Sequence, residues 1–376
     1  MRRLVFALIA VFSLSTSAAF AADKPKIPKR KKRSANEFVL VAGGDVAYPR
    51  GWLDRFVDRQ GAAMFDEVSK YAKDADLAFV NLETPFTDAT FKLRKEWQIA
   101  TPPGRLDYVL DGGFNLFSLA NNHMGDTGDQ GIFDTLDLLE GRDKARGPLF
   151  WIGAARTRKE VYKPLVFTVP GKRTKVVFFA FGYANNPLVP TPGADAIEAV
   201  KRHKRDGDVV VVSVHQGTEY KHVPDKAKTE LYRRFMDAGA DVLLGHHPHV
   251  IQGVEKYKKG VIFHSLGNFS FASKTKRHHK TGAKLYSMLP RLLFRGGKLA
   301  AVEIVPLYVN NGEPLVVGRE VLRHTDMKPQ VLTGVFATQV LTELEGWTHA
   351  LPGISEKARS AYRIEGDRAY IEVDGP

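Results

Sequence analysis

The sequence contains no cysteine. Disulfides, thiolate metal sites, cysteine nucleophiles and a cysteine-linked lipid anchor are therefore all excluded, although the absence does not indicate a compartment. Beyond the N-terminus there is no apolar run of the roughly 20 residues that a spanning helix requires. No nucleic-acid-binding motif is recognisable, so nucleic acid is not expected as a partner. There is neither an internal repeat nor a long low-complexity tract. Charge is not extreme either: 26% of the residues are charged against 44% hydrophobic, a balance that supports a packed core and excludes global disorder.

What is present begins with a basic excess. Lys and Arg number 55 against 42 Asp and Glu, a formal net charge of +13 over 376 residues. Part of it lies in Lys24, Lys26 and Lys29–Arg33, and a denser patch runs through Lys274, Lys276, Arg277, His278, His279 and Lys280. Such a balance favours anionic partners without choosing among them, and a merely solvated surface fits it equally well. The extreme N-terminus reads as an export signal. Met1-Arg2-Arg3 is followed by the apolar stretch Leu4–Phe12 and by small residues ending in Ala19-Phe20-Ala21-Ala22. Residues 1–22 are thus expected to be a signal peptide and 23–36 a basic linker, placing the protein in the periplasm or cell envelope. An uncleaved N-terminal membrane anchor stands as the alternative.

From residue 37, short apolar strands alternate with helical spacing, the pattern of an α/β layer structure whose strands are buried on both faces. Strands are expected at Phe38–Ala42, Leu77–Val80, Leu116–Leu119, Val176–Phe181, Val209–Val214 and Val242–Leu244. Helices are expected at Ala62–Ala72, Asp129–Leu139, Ala194–Arg205, Lys226–Ala238 and Pro329–Leu344. The later strands, Val250–Lys256, Val261–Leu266, Leu285–Phe294 and Ala300–Val309, have little helix between them. They suggest a second sheet, antiparallel or mixed.

Five of these strands end in polar or metal-capable residues: Asp45, Glu83, Asn122-His123, His215 and His247-x-His249. Ligands of open α/β sheets bind beyond the carboxyl ends of the strands, so these residues are expected to converge. Taken singly, each has a plainer reading. Asp after Gly-Gly is a turn residue, Glu83 a helix-start carboxylate, and Asn121-Asn122 a turn signal. Three histidines within Gly245-His246-His247-Pro248-His249 are harder to explain without a metal. Carboxylate and imidazole together suit Zn, Mn or Fe. Two such ions about 3.5–4 Å apart would clamp a phosphoryl displacement, with a nearby His to protonate the leaving group.

In this order the residues resemble the CapA family of capsule-synthesis (poly-γ-glutamate) proteins, within the calcineurin-like metallophosphoesterases. The matching pieces are Gly44-Asp45, Asn81-Leu82-Glu83, Ala120-Asn121-Asn122-His123, His215-x-Gly217-x-Glu219-Tyr220 and His247-Pro248-His249, with Asp126-x-Gly128, Gly153–Pro164 and Ser265–Phe269 around them. The resemblance implies an α/β four-layer sandwich with two central mixed sheets flanked by helices. It places that domain at 37–310, with 311–376 as a C-terminal extension packed on it. It implies two divalent ions (Mn, Fe or Zn) held by Asp45, Glu83, Asn122, His215, His247 and His249, with Glu83 bridging. His123 would be the general acid or transition-state stabiliser, Glu219 would orient His215 or a water, and His246 would be a spare imidazole. His264 reads as a core histidine.

Three departures bear on activity. Ala47 stands where the superfamily has a first-metal histidine, Glu83 replaces a bridging Asp, and Gln216 replaces a Trp. Two functions follow. One is a metal-dependent hydrolase acting on a phosphoester or an amide-linked acidic polymer. The other is a non-catalytic polymer-binding or scaffold component of an envelope synthesis complex, with a vestigial site.

Overall fold

The computed structural model describes residues 27–51, 53–91, 97–204, 209–272, 276–309, 313–323 and 328–373. The proposed signal peptide and the first residues of the basic linker, with Lys24, Lys26 and Lys274, lie outside them. In chain order the strands are β1 (Glu37–Ala47), β2 (Leu77–Leu82), β3 (Leu116–Ser118), β4 (Phe150–Ile152), β5 (Leu165–Thr168), β6 (Lys175–Gly182), β7 (Val209–His215), β8 (Val242–His246), β9 (Val254–Tyr257), β10 (Gly260–Phe263), β11 (Asn268–Phe271), β12 (Tyr286–Arg295), β13 (Lys298–Tyr308), β14 (Leu315–Val317), β15 (Glu320–Leu322), β16 (Gln330–Val331), β17 (Tyr362–Glu365) and β18 (Arg368–Ile371). The helices are α1 (Asp54–Gln60), α2 (Asp66–Asp74), α3 (Leu106–Asp111), α4 (Gly128–Arg146), α5 (Ala194–His203), α6 (Lys226–Asp237), α7 (Arg277–Thr281), α8 (Gly334–His349) and α9 (Glu356–Ser360). Among the described residues, no helix is long and apolar enough to cross a membrane.

Two mixed sheets carry the fold. The larger runs β17-β18-β13-β12-β1-β2-β3-β4, with β11 beside β1 and β16 beside β13; the smaller runs β5-β6-β7-β8-β10-β9. Strands β1 to β4 are mutually parallel, as are β6, β7, β8 and β10. The later strands do not form a sheet of their own. β9 and β10 extend the smaller sheet, while β12 and β13 join the larger one beside β1. The reason lies in partners distant in sequence. β1 is a long strand whose first half needs a neighbour on its free side, and β12 supplies it in antiparallel register, Phe38 stacking on Phe294 at 4.6 Å.

Side-chain parity sorts the core. In the smaller sheet Val176, Phe178, Val209, Val211, Val242 and Leu244 face the larger sheet and share its core. The alternate residues Val177, Phe179, Val210, Val212 and Leu243 form a separate core with Ala196, Ala199, Tyr232 and Phe235 of α5 and α6. Phe79 of β2 meets Phe178 of β6 at 5.5 Å across the layer. Because side chains alternate along a strand, the same parity carries His215 of β7 and His246 of β8 to the inter-sheet face. A fully buried aromatic or branched side chain in this layer contributes about 1.5–3 kcal/mol.

Candidate metal centre

β1 does not stop at its apolar segment but runs through Gly43, Gly44 and Asp45 to Ala47. Its pairing with β2 shifts register between Ala42 and Asp45, and that with β11 shifts between Asp45 and Val46. Asp45 therefore sits in an irregular stretch, a feature that often re-aims a side chain. Glycine at 44 is required by crowding: a Cβ there would lie 1.9 Å from the Gly267 carbonyl oxygen, which accepts the Asp45 N–H at 3.0 Å. Gly245, one residue before His246, is constrained likewise, since a Cβ would lie 2.2 Å from the His264 carbonyl.

At the carboxyl end of the larger sheet, Asp45 is fully buried. Asn81 Nδ2 donates to its Oδ1 at 2.8 Å, the His247 N–H donates to its Oδ2 at 3.2 Å, and His246 Nδ1 stands 3.0 Å from Oδ1. Burial alone would raise this carboxyl, but His246 in contact, with His215 and His249 nearby, outweighs it and holds Asp45 well below its usual range. The Asn81 amide nitrogen also lies 3.2 Å from His215 Nδ1, linking the two sheets. The far nitrogen of His215 points to the centre, 2.7 Å from Asn122 Oδ1, 3.1 Å from His247 Nδ1 and 3.4 Å from Glu83 Oε1.

Glu83 occupies the middle. Its Oε1 is also 3.9 Å from His123 Nε2 and 4.0 Å from His249 Nε2. Two sets of ligand atoms are close enough to hold an ion, Asp45–Glu83–His215 and Glu83–His247–His249, and Glu83 belongs to both. Burial keeps His215 well below the usual imidazole range and, with the neighbouring His249, lowers His247 to about 3. Both rings are thus neutral, with a lone pair to offer. Buried carboxylates facing neutral imidazoles are a donor set that fits a divalent ion of the Zn, Mn or Fe type.

The imidazole turn is unusual in its backbone. His247 and His249 have φ of 92° and 59°, in the left-handed region that L side chains avoid. The turn is over-determined from several sides. Besides the His247 N–H bond to Asp45, the Pro248 carbonyl accepts from Tyr220 N at 2.8 Å, and His249 Nδ1 lies 2.8 Å from Asn268 Oδ1. Strain of this kind persists only where the surroundings enforce it.

His123 comes from the loop after β3. That loop is pinned by Asn121, whose Oδ1 accepts the N–H groups of His123 and Met124 and whose Nδ2 donates to the Leu82 carbonyl. Asn121 is thus a scaffold, while Asn122 reaches the centre. His123 Nδ1 stands 2.8 Å from Asp126 Oδ2, which orients the ring and leaves Nε2 toward Glu83. An open cleft of about 230 Å³, lined by Asn122, Tyr183, His215, Gln216, Gly217 and His247, leads in.

The structure brings Asp45, Glu83, Asn122, His123, His215, His247 and His249 together, and adds His246 as a contact of Asp45. Of the two partners expected of Glu219, His215 or a water, the first is not the one it meets. Among the described residues its ion-pair partner is Arg277, at 3.7 Å, rather than His215. The turn through Gly217 and Tyr220, both at positive φ, carries it to the rim. His264 is a core residue, stacked on Tyr232 and 3.2 Å from Glu255. Ala47 is fully buried and offers no ligand atom. Three residues near the centre were given no role by the sequence: Asn81, Asp126 and Asn268. Asn81 was detectable, since it shares strand parity with Glu83 two residues later. Asp126 and Asn268 lie in recognisable motifs, but nothing local indicates which ring each holds.

The family model described as "Bacterial capsule synthesis protein PGA_cap" matches residues 39–273. The chain is 29% identical over 328 residues to "Capsule biosynthesis protein CapA" of Bacillus anthracis, covering 83% of this chain and 76% of that protein. It is 28% identical over 331 residues to "PGA biosynthesis protein CapA" of Bacillus subtilis (strain 168), covering 85% and 84%. With "Probable polyglutamine synthesis accessory protein Rv0574c" of Mycobacterium tuberculosis it shares 25% over 268 residues, 65% of this chain and 67% of that one.

Proposed function

The chain belongs to the bacterial capsule synthesis protein PGA_cap family, and from that premise we propose that it is an exported component of capsule or envelope-polymer synthesis whose centre is a metal-dependent hydrolase. The observation that carries the hydrolase reading is the position of Glu83. One buried carboxylate faces His215, His123 and His249 from a single oxygen and belongs to both possible ion sites, the arrangement a bridging ligand needs. Asp45, Asn122 and His215 would hold an ion on one side of it, and His247 and His249 on the other. A bound ion would supply Lewis acidity and a lowered pKa for water.

The chain's own residues do the rest. His123, aligned by Asp126, presents Nε2 to the centre and would pass a proton to a leaving oxygen or nitrogen. The cleft beside Tyr183 and Gln216 would admit the scissile group of an acidic polymer or phosphoester. Export rests on the N-terminal pattern of residues 1–22.

A second reading is favoured by Ala47. It leaves the Asp45 side one protein ligand short of the superfamily pattern, as expected of a polymer-binding component whose site is vestigial. Elemental analysis of purified protein, with aryl-phosphate hydrolysis measured in added Mn²⁺, separates the two. About two equivalents of metal at the inter-sheet centre, those lost on substituting its ligands, together with turnover support the hydrolase; no metal at that centre and no turnover favour the binding component.

A further inference from the structure

The basic patch singled out in the sequence contains more than charge. Helix α7 places His278 and His279 side by side, their ring centroids 4.1 Å apart. Both reach Glu313, which lies two residues before β14: His279 Nε2 is 2.6 Å from Oε1 and His278 Nε2 is 3.6 Å from Oε2. One ligand atom from each of the three residues falls within 4.8 Å of the others. His278 is buried, and its Nε2, also buried, has no hydrogen-bond partner among the described residues.

We infer that His278, His279 and Glu313 form a second divalent-metal site of the zinc type, separate from the inter-sheet centre. Zinc bonds of about 2.0–2.1 Å in a tetrahedron put ligand atoms about 3.3 Å apart, and the three ligand atoms, all within 4.8 Å of one another, need only a small closing movement to reach it. A metal would replace the contact between His279 Nε2 and Glu313 Oε1 and would satisfy the buried His278 nitrogen. Lys276 Nζ competes for Glu313 Oε1 from 3.7 Å, but its side chain is 73% exposed, and an exposed ion pair is weak enough to give way. Two imidazoles and one carboxylate leave one position open, a set suited to an exchangeable ion.

The site also has a mechanical consequence. It ties α7 to the segment before β14, and the first residue of α7, Arg277, pairs with Glu219. Tyr220, next to Glu219, lies 6.0 Å from the His249 ring. Metal at α7 would therefore steady one side of the cleft mouth.

The test is zinc content of the full chain after dialysis against micromolar Zn²⁺, in the parent and in three variants. His279→Ala and Glu313→Gln, both at accessible positions, are each expected to bind about one equivalent less than the parent. His247→Ala is expected to keep that equivalent while losing zinc from the inter-sheet centre. Unchanged content in both His279→Ala and Glu313→Gln overturns the site, whatever the inter-sheet centre does. A loss confined to His247→Ala overturns it equally. Because the α7 equivalent is counted separately, its absence would leave the hydrolase reading untouched.

Discussion

The two sheets contribute different chemistry to one centre. The larger sheet supplies the carboxylates and amides, Asp45, Asn81, Glu83 and Asn122, from an irregular strand and from the ends of its neighbours. The smaller supplies His215 and His246 from strand ends, then His247 and His249 from a turn in left-handed backbone. The carboxylate half is held by sheet register. The imidazole half is held largely by its partners across the gap, since Asp45 and Asn268 both bind the strained turn. His123 is the exception, an imidazole from the larger sheet aligned by Asp126 of its own loop. The difference teaches that the centre is interlocked: the carboxylate half keeps the imidazole half in a conformation it would not otherwise adopt.

The sharpest way to break this comparison is His123→Ala. A proton donor held independently of the ion-binding set should reduce turnover by about 10²–10⁴-fold with metal content intact; loss of metal would instead make His123 a ligand. Asp45→Ala attacks the interlock itself. It leaves Asn81 and the His247 N–H without their buried acceptor, and should cost about 3 kcal/mol in denaturant unfolding together with bound metal. His247→Ala and His249→Ala should each reduce metal content, and full retention in both would remove them from the ligand set.

Acid should act on the imidazole half. With His247 at about 3 in the fold and 6.5 in the unfolded chain, the unfolded state binds more protons between those values. Stability of chelated protein is therefore complete above about pH 6.5 and falls as pH drops through that window, by about 1–2 kcal/mol at pH 5. His215, also lowered, acts in the same direction. A denaturation midpoint unchanged between pH 7.5 and pH 5 would contradict this. The smallest effect concerns backbone strain. His249→Gly should be about 1 kcal/mol more stable than His249→Ala, because only glycine is at ease at that φ; equal midpoints would mean the turn is not strained.

Much of the centre could be read without coordinates. The ordered set Asp45, Glu83, Asn122-His123, His215 and His247-x-His249 lies at strand ends, and strand ends of parallel sheets share one edge. The reading was weaker where geometry depends on distant partners. Glu219 turns to Arg277 at the rim, and Asn268 gains its relation to His249 only because β11 pairs with β1. The late strands divided between both sheets for the same reason.

By itself, then, the sequence determined the alternating α/β pattern, the exclusion of thiol chemistry, and the gathering of carboxylate, amide and imidazole residues at strand ends. Those are consequences of local geometry and residue type. Tertiary structure alone decided that Glu83 lies between the two ligand groups, that His247 and His249 adopt left-handed backbone, and that His278, His279 and Glu313 meet. Each of these depends on contacts between segments far apart in the chain, whose distances are set by how the two sheets pack and not by the spacing of residues along it.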